Sequence, residues 1–237
     1  MFLVSLFWFF IKSSLFLIVL TFVTGVIRLF VFGIFKRYEN PLRDASILKK
    51  GDVLLVGKQS VKHSWYIQVS NVLTRKLKHR FWTHAALYQG NGKVWEARPE
   101  GILEKEVSVY LSGDYIVRAF RHRYADNPDV MDRVVAFCAS KKDSGYGTLG
   151  TIFYTISTFM PISFNWLFDN AFIDRLLHLD NAYYCSELIV DAFDEVNYPV
   201  SPYDGWRVKP ADFISNPLLN DVSSHVESKA EKETAHV

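Results

Sequence analysis

Cysteine is scarce in this chain of 237 residues, and its two copies, Cys138 and Cys185, exclude a multi-disulfide framework. There is no CxxC pair and no HExxH, so neither a structural zinc site nor a zincin-type centre has ligands at the needed spacing. No metal and no cofactor are expected. A formal net charge of +2, with no arginine-rich run or RNA-binding signature, argues against a nucleic-acid partner. Charge is also missing locally: residues 144–168 (SGYGTLGTIFYTISTFMPISFNWLF) have none, and the first 35 residues have only Lys12 and Arg28. What is abundant is apolar surface. Hydrophobic residues make up 49% of the chain and aromatic residues 16%, ample for the core of one domain with an appendage.

The appendage is the N-terminal tract. Ser13 to Ile27 is uncharged, and the apolar run continues to Phe35 if Arg28 snorkels toward headgroups. A bilayer core of roughly 30 Å needs about 20 such residues, so residues 1–36 are expected to form a single-pass transmembrane anchor. No small-x-small cleavage site follows the run, which argues against removal as a signal peptide. Arg28, Lys36, Arg37, Arg43, Lys49 and Lys50 at the downstream end outnumber Lys12 upstream, and the positive-inside count places the domain on the cytoplasmic face. Residues 37–48 read as a linker, 49–219 as the main domain and 220–237 as a polar tail. The uncharged 144–168 stretch has two readings, a second span or a hydrophobic lid lying at a lipid surface. Pro161 and Asn165 weaken the first.

Within the domain, GDVLLVG gives a short strand after a turn, FWTHAALYQ-GNG-KVWEARP a β-hairpin, and DYIVRAFRH another strand. Residues 60–79 have helical spacing. NPDVMDRVVAFCASKKD gives a helix with Asn127 as cap and Pro128 at the first helical position. Its stripe of Val130, Val134, Val135 and Cys138 makes Cys138 a core residue. GYGTLG (145–150) matches G-x-G-x-x-G, but a helix precedes it where the dinucleotide fingerprint needs a strand. Its glycines are read as a turn.

Cys185 opens a second amphipathic helix that stops at Asn197-Tyr198-Pro199, with Leu188, Ile189, Ala192 and Val196 on its own face. In the first turn, free N–H groups and the positive end of the helix dipole favour a thiolate. A buried structural cysteine predicts the same apolar face, so the helix alone leaves both readings open. The hairpin supplies a partner. A three-residue GNG connection sets Ala86 opposite Glu96 and places His84 diagonal to Glu96, roughly 5–8 Å apart at Cβ. A two-residue Asn91-Gly92 turn slips the register and sends Glu96 to the other face. His122 is a rival base without a comparable carboxylate.

The motifs GDVLLV (51–56), THAALYQGNGKVWEA (83–97), SGYG (144–147), YYCSEL (183–188) and VKPADF (208–213) resemble, in that order, circularly permuted papain-like cysteine hydrolases of the NlpC-type superfamily, in its YiiX-like branch. The resemblance covers roughly residues 48 to 215. More distantly it extends to lecithin–retinol acyltransferase-like proteins. It implies an α+β fold, with a small antiparallel β-sheet or half-barrel packed on the cysteine helix. Cys185 is then the nucleophile, His84 the base, Glu96 the residue orienting the imidazole, and Tyr146 a substrate-binding residue. The hydrophobic insertion at 147–182 departs from compact members and suits an acyl chain or a lipid-linked amide or ester. The expected function is a membrane-anchored hydrolase acting on an amide, peptide or lipid-acyl substrate. Two alternatives stand beside it: a thiol-dependent lipid acyltransferase or phospholipase, and an idle scaffold binding membrane lipid or protein.

Overall fold

A computed structural model describes residues 2–28, 41–42, 44–58, 65–74, 79–147 and 182–223. The insertion at 148–181, part of the 37–48 linker and the tail from 224 lie outside the described residues.

Six strands form one sheet in the order β4-β3-β2-β1-β5-β8, with every neighbouring pair antiparallel. They are β1 (Val53–Lys58), β2 (Trp82–Gly90), β3 (Lys93–Arg98), β4 (Gly101–Glu106), β5 (Tyr115–His122) and β8 (Leu219–Asp221). A second, two-stranded parallel pair joins β6 (Gly145–Tyr146) to β7 (Ala182–Tyr183). Two helices lie on the sheet: α3 (Pro128–Ser140) and α4 (Cys185–Asp194). α3 starts where Asn127 accepts from the N–H groups of Asp129 and Val130, with Pro128 using the first position where no N–H is needed.

The central strands are apolar on both faces, as strands covered on both sides must be. Val53, Leu55, Ala85, Leu87, Trp95 and Ala97 pack against Leu188, Ile189 and Phe193 of α4 and Met131, Val134 and Cys138 of α3. Leu54, Val56, Ala86, Tyr88 and Val94 pack on the other side with Leu42, Val107 and Tyr110. Between Val56 and Gly57 the pairing with β2 shifts by one residue, so that Val56 faces His84 while Gly57 faces Trp82. This bulge explains why even-numbered Trp82 joins the same cluster as Ala85 and Leu87. Gly57 is required there, because a Cβ would lie 2.1 Å from the Phe81 carbonyl oxygen.

The hairpin resolves its two candidate geometries by combining them. Gly90 pairs with Lys93 across Asn91-Gly92, both at positive φ (53° and 76°), as a two-residue type I′ turn requires. The register then shifts between Tyr88 and Gly90, and beyond it Leu87 pairs with Trp95. The tight turn and the bulge cancel. The strands leave the turn in the register that a three-residue connection sets.

The N-terminal tract forms α1 (Phe2–Arg28), which packs on α2 (Trp65–Thr74). The expected transmembrane anchor, and with it the single-pass membrane localisation, are not upheld: among the described residues no helix is long and apolar enough to cross a membrane. The physical reason lies in charge spacing. Lys12 and Arg28 bracket the uncharged residues 13–27, which rise about 22 Å at 1.5 Å each, short of a hydrocarbon core of roughly 30 Å. Reaching Phe35 depended on residues beyond the described helix.

Candidate active site

Cys185 is the first residue of α4, and Tyr184, extended at φ −98° and ψ 172°, is its N-cap. The Glu187 carboxylate accepts from the Tyr184 N–H at 3.1 Å, satisfying one of the orphan donors of the first turn. Tyr184 Oη bridges the carbonyls of Gly205 (2.7 Å) and Val208 (2.9 Å), and the Ser186 hydroxyl also donates to Val208 O. The start of α4 is thereby tied to the 205–208 turn. Cys185 is 6% exposed and forms a small cluster with Tyr184 and Trp206, against which partly buried Tyr146 packs.

His84 stands on β2 beside the bulge, its side chain 14% exposed. Its Nε2 meets Glu96 Oε2 on β3 at 2.5 Å, which leaves Nδ1 for Cys185, and ring and sulfur are hydrogen-bonded. The structure thus brings Cys185, His84 and Glu96 into one chain of contacts, with Tyr146 alongside. His122 is elsewhere: it is 3% exposed, stacks on Phe193 at 5.6 Å and has Tyr124 and Tyr198 as further ring neighbours. Burial there holds its pKa down, the Pro199 carbonyl opposing.

Burial of His84 disfavours its charged form, yet hydrogen bonds to Cys185 and Glu96 outweigh that and hold the pKa above the ordinary histidine value. Cys185 shows the complement. Burial pushes its thiol up, but His84 and the backbone N–H groups of Ala85 and Ser186 stabilise the thiolate more, and the net direction is down. The two shifts favour a thiolate–imidazolium pair.

Glu96 is fully buried, and burial raises its pKa, but its partners drive it far below the usual carboxylate range. These are His84 and Arg98, the latter at 3.0 Å; Tyr110 Oη, which donates to Oε2, and Lys105 at 3.2 Å also touch the carboxylate. Tyr110 also accepts from Arg98 at 2.7 Å, and burial together with Glu96 keeps it a neutral donor. A carboxylate so compensated stays ionised beside His84. Glu187 is the opposite case: burial, with Asp191 adding to it, pushes its carboxyl up to about 8. At neutral pH it is mostly protonated and adds little negative charge near the Cys185 sulfur.

Arg98, Lys105 and Tyr110 were not singled out from the sequence. Arg98 had a signal, since it lies two residues beyond Glu96 on a strand and so on the same face. Tyr110 and Lys105 had none, because β4 and the 3₁₀ turn Val107–Tyr110 reach Glu96 only through strand pairing. Among the described residues no group of three or more His, Cys, Asp or Glu is placed to hold a metal ion. Compared with known proteins, the chain matches no family model and no curated sequence.

Proposed function

We propose that this protein is a cysteine hydrolase that cleaves an amide or ester through an acyl-thioester on Cys185. The observation that carries this reading is the His84 ring, held at Nε2 by an ionised Glu96 and hydrogen-bonded to the sulfur at the N-terminus of α4. A nucleophile, a base and a group that orients the base are the parts such chemistry needs. The order of the motifs, histidine strand before cysteine helix, supports the same reading through its resemblance to permuted papain-like hydrolases.

In this mechanism the Cys185 proton resides on His84, and the thiolate attacks the substrate carbonyl carbon. The resulting oxyanion faces the free N–H groups of the first turn of α4, each such donor being worth on the order of 3 kcal/mol. The tetrahedral intermediate collapses as the imidazolium gives its proton to the leaving nitrogen or oxygen, and the acyl-thioester remains. His84 next takes a proton from water, the hydroxide attacks the thioester, and the acid leaves as the Cys185 thiolate is expelled beside the His84 imidazolium.

An electrophilic acyl probe tests this directly. The wild-type protein is expected to be labelled at Cys185, and Cys185→Ala to lose labelling by at least about 10³-fold while keeping the wild-type circular dichroism spectrum. Undiminished labelling of Cys185→Ala would sink the reading.

A further inference from the structure

The 205–208 turn brings an indole ring into the cluster that holds the cysteine. Trp206 is 4% exposed, and its Nε1–H is buried with no partner among the described residues. Burying an amide-like donor unpaired costs about 1–3 kcal/mol, and buried indoles usually find an acceptor. The nearest carbonyls along the turn do not serve, since Gly205 O and Val208 O are taken by Tyr184 and Ser186. The ring instead packs in the small cluster of Tyr184, Cys185 and Tyr146.

The turn is built to hold that position. A Cβ at Gly205 would lie 2.5 Å from Asp191 Oδ1 and 3.1 Å from the Glu187 carbonyl oxygen, so only glycine lets the turn seat on α4. Arg207 stacks its guanidinium 4.6 Å from the Trp206 ring centroid on the next residue. Among the described residues Trp95 has another indole N–H without a partner, but it belongs to the main core under α3 and α4.

We propose that the Trp206 indole N–H is an oxyanion donor, hydrogen-bonding the substrate carbonyl oxygen together with the backbone N–H groups at the start of α4. An unpaired buried donor in the cluster that holds the cysteine is tolerated because it gains its partner when charge develops on that oxygen. The proposal rests on the cysteine-hydrolase reading, and it adds a residue to that machinery.

The test compares two reactions of Cys185 in the full-length Trp206→Phe protein. Acylation by a p-nitrophenyl ester passes through an oxyanion, whereas alkylation by iodoacetamide displaces iodide and does not. Acylation is expected to fall about 10- to 100-fold, with alkylation within about twofold of wild type and Tm unchanged or higher, because the orphan donor is gone. Wild-type acylation in the variant overturns the proposal, and so does an equal fall in both reactions. Benzothienylalanine at position 206, which has the indole's shape without the N–H, gives the same readout if the phenylalanine variant does not fold. A wild-type protein that the ester does not acylate fails the hydrolase reading itself, a result seen before any variant is made.

Discussion

The two cysteines are almost equally hidden, Cys138 at 0% and Cys185 at 6% exposed, yet their thiols are pushed in opposite directions. Cys138 lies in the last turn of α3 among Met131 and Val134, where burial drives its pKa far up against only a backbone hydrogen bond. The carbonyl end of a helix is also the wrong end for a thiolate. Cys185 lies in the first turn of α4, with an imidazole and two backbone N–H groups on its sulfur. Burial therefore does not decide which way a thiol's pKa moves. Partners do, and each partner can be removed.

Taking away the imidazole has the largest effect. In His84→Ala the burial of Cys185 remains and its main stabiliser is lost, so its thiol moves up, past the ordinary value and toward the behaviour of Cys138. Alkylation of Cys185 by iodoacetamide at pH 7, read by peptide mapping with Cys138 as the internal reference, is expected to fall about 10²-fold. A rate equal to wild type would remove His84 from the pair.

The next effect comes from the group behind the imidazole. On the proposed hydrolase mechanism, activity is expected to open as the Cys185 thiol ionises, which is shifted to lower pH, and to close as the His84 imidazolium loses its proton, which is shifted to higher pH. In Glu96→Gln the ring loses the carboxylate that favours its charged form. The alkaline limb of the pH–rate profile is then expected to move to lower pH, with kcat/KM falling about 10-fold at its optimum. Tyr110→Phe leaves the carboxylate in place and should shift the same limb less. A fall in rate with both limbs unmoved would mean that Glu96 only supports the fold.

These parts of the site were unequally legible in the sequence. Asn127-Pro128 and the 3.6-residue stripe announce α3, and the apolar face after Cys185 announces α4, because capping and amphipathicity are local. The contact of His84 with Glu96 was legible only if the hairpin register came out right. That register depends on the bulge between Tyr88 and Gly90, which no local residue pattern declares. Tyr110, Lys105 and Trp206 reach the site across strands or turns distant in sequence, so nothing near Glu96 or Cys185 points to them. The N-terminal tract misled for another reason: its composition is that of a span, while the spacing of Lys12 and Arg28 is not.

Glu187 tests whether the surroundings of Cys185 are kept free of negative charge. Its folded pKa of about 8 lies above the ordinary 4.5, so between those values the folded protein holds a proton that the unfolded chain has released. Stability then falls as pH rises across that window. Glu187→Gln keeps an acceptor for the Tyr184 N–H and removes the titration. Urea unfolding is expected to show the variant more stable than wild type at pH 9, by on the order of 2 kcal/mol, with no gain at pH 4. Alkylation of Cys185 at pH 7 should stay within about twofold of wild type. A wild-type slope that persists in the variant would assign the titration to another group.

The smallest effect completes the contrast from the Cys138 side. Its thiol fills space between α3 and the sheet and does nothing else, so Cys138→Ala should cost about 1 kcal/mol, roughly the burial of one methylene-sized group. For a protein of this size that lowers Tm by about 2–4 °C, with probe labelling of Cys185 unchanged. Cys185→Ala, which is expected to abolish labelling, should lower Tm less, because Cys185 packs in the small cluster with Tyr184 and Trp206 and not in the main core. Stability and reactivity would then be carried by different cysteines. Thermal denaturation of the two alanine variants, side by side, decides it: a larger Tm loss for Cys185→Ala would make that residue a structural cysteine as well, and the contrast would fail on its stability half.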